Sequence, residues 1–139
     1  MTNVILMGAG RTLLGLYFLL PGIMKFAAWD THIEMMSAHG ISSPAPLLFI
    51  ATAAEIIAGI FLILRIQVRL MALGCALLVI IINVMMHDFW NFDGITGAHE
   101  MQNFIKNLGI FAGLLVLASE SAKRKISLRG FWMRDPKLT

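Results

Sequence analysis

The chain has 139 residues, of which 58% are hydrophobic and only 14% are charged, and its mean hydropathy is +0.80. Soluble domains carry about 25% charged residues, so the composition excludes an ordinary soluble fold and predicts an integral membrane protein. The net charge is +3, and a single cysteine, Cys75, excludes an intrachain disulfide and a Cys-x-x-Cys redox pair.

Four apolar segments are each long enough to cross a bilayer, which takes about 20 residues. These segments cover residues 4–24, 46–64, 68–87 and 100–119. The sequence therefore predicts an all-α protein with an antiparallel bundle of four transmembrane helices at residues 1–119 and a basic tail at residues 120–139. Residues 27–43 are expected to form a short interfacial helix or an ordered loop. The aromatic residues between 88 and 98 are typical of the lipid headgroup zone.

The distribution of lysine and arginine predicts the orientation of the bundle. Most of these residues lie at one end, in the turn at residues 65–69 and in the tail. The positive-inside rule places this end in the cytoplasm, together with the N-terminus because the number of spans is even. The basic tail is also expected to be attracted to anionic headgroups. The lipid bilayer is thus the expected surroundings, and nothing in the pattern indicates a nucleic-acid partner.

Polar residues inside the spans are the candidate functional residues, because an ionised side chain at the bilayer centre costs about 2.5–3.5 kcal/mol and needs a partner or a wet cavity. Each span carries small and polar residues at three- and four-residue spacing, and these faces are expected to meet inside the bundle. From the helical rise of about 1.5 Å per residue, Glu55 is predicted near the bilayer middle, within reach of Arg11, Lys106 or both. The candidate ligand-binding residues are Arg11, Glu55, His87, Lys106 and Asn107, and the secondary candidates are Lys25, Asn83, His99 and Asn103.

Two interpretations of these residues stay open. In the structural one, an ion network of Arg11, Glu55 and Lys106 fixes the helix register. In the other, the interior has more cations than anions, and the excess of donors suits an acceptor-rich ligand such as a quinone carbonyl, a sulfur oxyanion or a lipid headgroup. The four histidines lie on the predicted outer side, but no pair has a compact i,i+4 ligand spacing, so metal and haem are disfavoured.

Several segments resemble a known family of membrane proteins. They are Gly10–Leu16, Pro21–Lys25, Ala54–Gly59, His87–Trp90, Phe104–Gly109 and Gly113–Leu115. The pattern resembles that of the DoxX-type membrane proteins from about Gly8 to Ala118. The resemblance implies a four-helix topology and a location in the cytoplasmic (inner) membrane of a bacterium. The family takes its name from a quinone-linked sulfur oxidoreductase subunit, and some members are associated with membrane redox and oxidative-stress complexes.

Taken together, the resemblance and the polar residues favour a redox-associated subunit that binds a quinone or another small acceptor-rich molecule. Arg11 and Lys106 would donate hydrogen bonds to the ligand, Glu55 would be their counter-ion and a candidate proton carrier, and His87 and Asn107 would be polar contacts at the mouth. No catalytic motif is visible, so catalysis would belong to a partner subunit. Two alternatives remain: a carrier for a small metabolite or lipid, which would need to form a homo-oligomer, and a non-catalytic scaffold with a structural ion network.

Overall fold

The computed structural model describes residues 2–122 and 130–136, and it is helical almost throughout residues 2–122. The helices are α1 (Thr2–Ala27), α2 (Trp29–Ala38), α3 (Pro44–Leu64), α4 (Val68–Met86) and α5 (Gly94–Glu120), with a 3-10 turn at Phe89–Asn91. Among these, α1, α3, α4 and α5 are long and apolar enough to cross a membrane. The predicted bundle of four membrane-spanning helices is confirmed.

The helix boundaries follow local sequence signals more closely than they follow hydropathy. Pro44 occupies the first turn of α3, where its missing N–H costs nothing, and Gly40, at a φ of 73°, follows the end of α2. Helices α1 and α5 are longer than the predicted apolar segments, and α5 already begins at Gly94. A hydropathy window stops where the side chains become polar, whereas the helical backbone continues into the headgroup zone.

Helices α1 and α3 approach each other closely through glycines, as the small-residue face predicts. A Cβ atom added to Gly59 would lie 2.7 Å from the carbonyl oxygen of Gly15, and one added to Gly22 would lie 3.2 Å from the Cβ of Glu55. Tight packing between backbones is the main source of helix association in lipid. The buried hydrophobic core comprises Phe18, Ala58, Leu62, Val68, Ala72, Cys75, Ala76, Val79, Leu114, Leu117 and Ala118.

One end of the bundle gathers the start of α1, the α3–α4 turn, the end of α5 and residues 130–136; we call it the terminal end. The Arg65 carbonyl in the turn accepts the backbone N–H of Asp135 at 2.9 Å, and the Asp135 carboxylate accepts the N–H of Ala122 at 3.0 Å. Residues 123–129 and 137–139 of the predicted basic tail lie outside the described residues. The side of the membrane that the terminal end faces stays a prediction.

Candidate functional site

Side chains from all four membrane-spanning helices line a cavity of about 700 Å³, which we call the polar cavity. Its volume is in the range of about 300–1,000 Å³ that is usual for small-molecule sites. The lining residues are Tyr17, Phe18, Pro21, Lys25, Glu55, Val79, Ile82, His87, Asn103, Lys106, Asn107, Gly109 and Ile110. The polar cavity therefore brings together six of the nine predicted site residues and leaves Arg11, Asn83 and His99 outside its wall.

Glu55 forms its ion pair with Lys25. The Lys25 Nζ lies 2.5 Å from both carboxylate oxygens, and Glu55 is only 4% exposed. Lys25 comes within reach of Glu55 because Gly22, one helical turn before Lys25, packs directly against Glu55. Lys25, predicted only as a secondary candidate at the outer mouth, is thus the partner of the central carboxylate.

The predicted pairing of Arg11 with Glu55 is wrong. Gly22 lies level with Glu55, and Arg11 is eleven positions before Gly22, which at about 1.5 Å per residue is roughly 16 Å along α1. Centring each apolar segment in the bilayer predicts an offset of only a few ångströms between Arg11 and Glu55. The Arg11 guanidinium instead donates hydrogen bonds through Nη1 to the carbonyl oxygens of Leu62 and Ile63, at the end of α3. A cation there complements the partial negative charge of the helix C-terminus. The role of Arg11 as a ligand donor stays a prediction.

Lys106 does not join the predicted network either. Its Nζ lies 3.4 Å from the Oδ1 of Asn103, and no salt bridge joins it to a carboxylate among the described residues. Its position in α5 is about 18 Å from the start of the helix and about 21 Å from the end. Lys106 therefore contributes a positive charge to the polar cavity in the middle of a membrane-spanning helix, where a lone charge is costly.

A chain of hydrogen bonds ties α1, α4 and α5 together on one side of the polar cavity. Tyr17 Oη donates to Asn107 Oδ1 at 3.1 Å, Asn107 Nδ2 donates to Asn83 Oδ1 at 2.9 Å, and Asn83 Nδ2 donates to the Phe104 carbonyl at 3.1 Å. Asn83 is fully buried. This arrangement satisfies the polar groups of both asparagines between helices, so Asn83 acts in packing rather than in the cavity wall.

Histidines and carboxylates form pairs at the end of the bundle opposite the terminal end. His87 Nδ1 lies 2.7 Å from Glu100 Oε2, and His39 Nδ1 lies 2.8 Å from Asp88 Oδ1. His99 lies 3.8 Å from the other Glu100 oxygen, with a side chain that is 66% exposed. Within residues 2–122 and 130–136, no three His, Cys, Asp or Glu side chains are grouped as metal ligands would be. His87 is the histidine of this group that reaches the cavity wall.

The small and polar face of α5 lines the polar cavity, whereas another face of the helix packs into the core. The buried residues of α5 are Gly97, Asn107, Leu114, Leu117 and Ala118. Asn103, Lys106 and Ile110, which follow one another at three- and four-residue spacing, lie beside this buried face and line the polar cavity. The reason is that α5 packs mainly against α4 and leaves a gap toward α1.

Tyr17 is the one polar residue of the cavity wall that was not predicted from the sequence. Its hydroxyl bridges α1 to α5, although it lies beside Phe18 in an otherwise apolar helix. The available signal was that a tyrosine in an apolar segment usually finds a hydrogen-bond partner for its hydroxyl.

Comparison with known proteins agrees with this architecture. The family model described as DoxX matches residues 6–88, more than half of the chain. The chain belongs to the DoxX family. Inner membrane protein YphA of Escherichia coli (strain K12) is 27% identical over 114 residues, which are 82% of this chain and 81% of that protein. The predicted location in the bacterial inner membrane is confirmed, and no solved structure matches the chain.

The DoxX match ends at Asp88, before α5 begins. It includes Lys25, Glu55 and His87. Lys106 and Asn107 lie beyond it, so their place in the site depends on the packing of α5 against the rest of the bundle.

Proposed function

We propose that this DoxX-family protein binds a small acceptor-rich molecule, with a quinone as the leading candidate, in the polar cavity, and that it does so as a subunit of a membrane redox complex. The observation that carries the proposal is Lys106. This cation lies in the middle of a membrane-spanning helix, faces a cavity and is joined to no carboxylate among the described residues. Its contact with Asn103 Oδ1 at 3.4 Å leaves N–H donors for an acceptor from outside the fold.

The remaining polar groups suit the same kind of ligand. Lys106 and Asn103 together offer N–H donors on the α5 wall, and His87 offers a ring nitrogen at the end of the cavity. Lys25 balances the charge of Glu55, so the net positive charge of the cavity comes from Lys106. These donors fit the carbonyl oxygens of a quinone ring.

Proton handling is the chemistry that the chain itself could contribute. A bound quinone would supply two-electron, two-proton redox chemistry. Glu55 lies in the cavity wall as an acceptor for a proton, with Lys25 as its counter-ion. His87 lies in the same wall and is backed by Glu100, whose side chain is 17% exposed. This arrangement supports proton exchange toward the end that carries α2, opposite the terminal end.

The proposal is tested by mass spectrometry of small molecules retained in native nanodiscs. The parent protein is compared with Lys106→Met, Lys106→Arg and Glu55→Gln, each first shown to be folded by circular dichroism and size-exclusion chromatography. We expect a quinone to be enriched with the parent and with Lys106→Arg, and to be lost from Lys106→Met. The arginine variant is the matched control because it keeps the positive charge and the N–H donors on a long side chain.

Two results would decide against the proposal. Equal retention of a quinone by Lys106→Met would remove Lys106 from the site. Enrichment of nothing beyond bulk lipid, with variants that only lose stability, would favour the scaffold in which the charged residues set the helix register.

A further inference from the structure

Helices α1 and α5 pack together less closely than the α1–α3, α3–α4 and α4–α5 pairs, and we call the boundary between them the α1–α5 seam. The polar cavity lies along this seam, and a second cavity of about 670 Å³ follows it toward the terminal end. Leu14 in the second cavity is one turn from Tyr17 in the first, and Gly113 is one turn from Gly109. The two cavities therefore lie end to end along the same pair of helices.

The second cavity differs chemically from the first, and we call it the apolar cavity. Its walls are mostly aliphatic, and its one charged residue, Arg11, already donates to carbonyl oxygens of α3. Leu13 and Val116 line this cavity and are 67% and 61% exposed. Because these exposed side chains belong to membrane-spanning helices, the cavity is open to the lipid chains.

The combined length of the two cavities exceeds that of a small polar ring. From Asn103 to Val116 the α5 axis rises about 20 Å, with the donors at the first end and aliphatic side chains at the second. We propose that the ligand is an amphiphile taken from the bilayer, with an acceptor-rich head in the polar cavity and a hydrophobic tail in the apolar cavity, and that it enters between α1 and α5. This inference rests on the proposed function and narrows its ligand class.

Glycines make the tail part of the proposal testable. Gly113 and Gly10 line the apolar cavity from opposite helices, and a Cβ added at either position would meet nothing within 4 Å. A leucine at either position should therefore fill the cavity without disturbing the packed core. Gly74 is the matched control, because a Cβ there also meets nothing within 4 Å and it lines a separate cavity between α3 and α4.

The experiment measures the Kd of two probes in nanodiscs: a dimethoxy-methyl-benzoquinone that carries a decyl chain, and the same ring without the chain. Each Kd is compared with that of the parent protein, so that partitioning of the probe into lipid cancels. We expect Gly113→Leu and Gly10→Leu to weaken binding of the decyl compound about tenfold or more, because the leucine side chain occupies the space that the tail needs. Binding of the ring alone should be unchanged in both variants, and Gly74→Leu should change neither probe.

Each outcome decides between the two proposals. If the leucine variants leave the decyl compound unaffected, or weaken both probes equally, the tail site is overturned while quinone binding stands. If neither probe binds the parent, the quinone proposal fails, and the tail site is then judged by the amphiphiles that co-purify with the protein. Their loss from Gly113→Leu but not from Gly74→Leu supports the tail site, whereas equal retention, or no enriched amphiphile in the parent, overturns it.

Discussion

The Lys25 ammonium group lies 2.5 Å from both carboxylate oxygens of Glu55, joining the last turns of α1 to the middle of α3. Both residues line the polar cavity, and Glu55 is almost completely buried. The pair therefore has two consequences. It stabilises the axial register of α1 against α3 that the glycine contacts set, and it places a charge-balanced carboxylate in the same cavity as Lys106, which has no carboxylate partner among the described residues.

Removal of one partner of this pair should destabilise the bundle. Lys25→Met leaves the Glu55 carboxylate buried without a counter-charge, a change that typically costs about 3 kcal/mol or more. The double variant Lys25→Met/Glu55→Gln should recover much of that loss, since no buried charge remains. The free energy of unfolding, measured by denaturant titration in mixed micelles, checks both values. Equal stability of the single and double variants would contradict a direct ion pair.

The glycine contact between α1 and α3 should be intolerant of added volume. In Gly59→Ala the new Cβ would meet the Gly15 carbonyl oxygen at 2.7 Å and the Leu19 backbone nitrogen at 2.8 Å. Overpacking of this kind costs about 1–3 kcal/mol. Gly8→Ala is the control, since its Cβ would meet nothing within 4 Å, and its stability should match that of the parent to within about 1 kcal/mol. Because alanine is the better helix former, a loss in Gly59→Ala has to come from packing, and similar changes for the two variants in the same unfolding assay would contradict a close contact at Gly59.

The asparagine bridge should contribute more to stability than the tyrosine bond that extends it. Asn83→Leu removes the hydrogen bonds to Asn107 and to the Phe104 carbonyl and leaves buried groups unsatisfied, at about 1–3 kcal/mol. Tyr17→Phe removes a single bond at the partly exposed seam and should cost about 1 kcal/mol or less. Unfolding of the two variants side by side measures the difference. A larger loss for Tyr17→Phe would mean that the α1–α5 seam is packed more tightly than its cavities indicate.

The Asp135 carboxylate joins the C-terminal segment to the end of α5, and the Asp135 backbone joins it to the α3–α4 turn. Asp135 is 2% exposed and its side chain accepts the Ala122 N–H, while its own N–H donates to the Arg65 carbonyl. Asp135→Ala should therefore detach residues 130–136 from the end of α5 and weaken their packing on the turn. Hydrogen–deuterium exchange should become faster in peptides that contain Ala122, Arg65 or Asp135 itself. Peptides from the middle of α4 act as the internal reference, and unchanged exchange near Arg65 would show that the segment is held by its aromatic contacts with Phe61 instead.

The orientation predicted from lysine and arginine is testable with single cysteines. In a Cys75→Ser background, a cysteine at Ser37 lies in α2, opposite the terminal end, and one at Met133 lies at the terminal end. A membrane-impermeant maleimide added to intact cells, with the outer membrane made permeable, should label Ser37→Cys and not Met133→Cys. Labelling should then appear at Met133→Cys after the inner membrane is opened. The reverse pattern would place the terminal end outside the cytoplasm.

Much of the candidate site could be named from the sequence because a bilayer makes polar residues conspicuous. Glu55, Lys106 and Asn107 stand out within apolar segments, where each charge or amide needs a polar partner or a wet cavity. All three line the polar cavity. The pairing between them could not be named. Partner choice depends on the axial offset of the helices, which composition does not reveal: Gly22 rather than Arg11 lies level with Glu55 because the glycines of α1 and α3 interlock at that offset.

The sequence by itself determined that this is a four-span helical membrane protein, because apolar length and small-residue spacing act locally and need no knowledge of neighbouring helices. Its motifs also carry the resemblance to the DoxX family that the family match confirms. Only the tertiary structure decided that Lys25 neutralises Glu55, that Arg11 caps α3, and that Lys106 faces a cavity along a loose α1–α5 seam. Those outcomes depend on how far each helix slides and rotates against its neighbours. Contacts between helices set that slide and rotation, and a shift of one turn, about 5.4 Å, exchanges one set of partners for another.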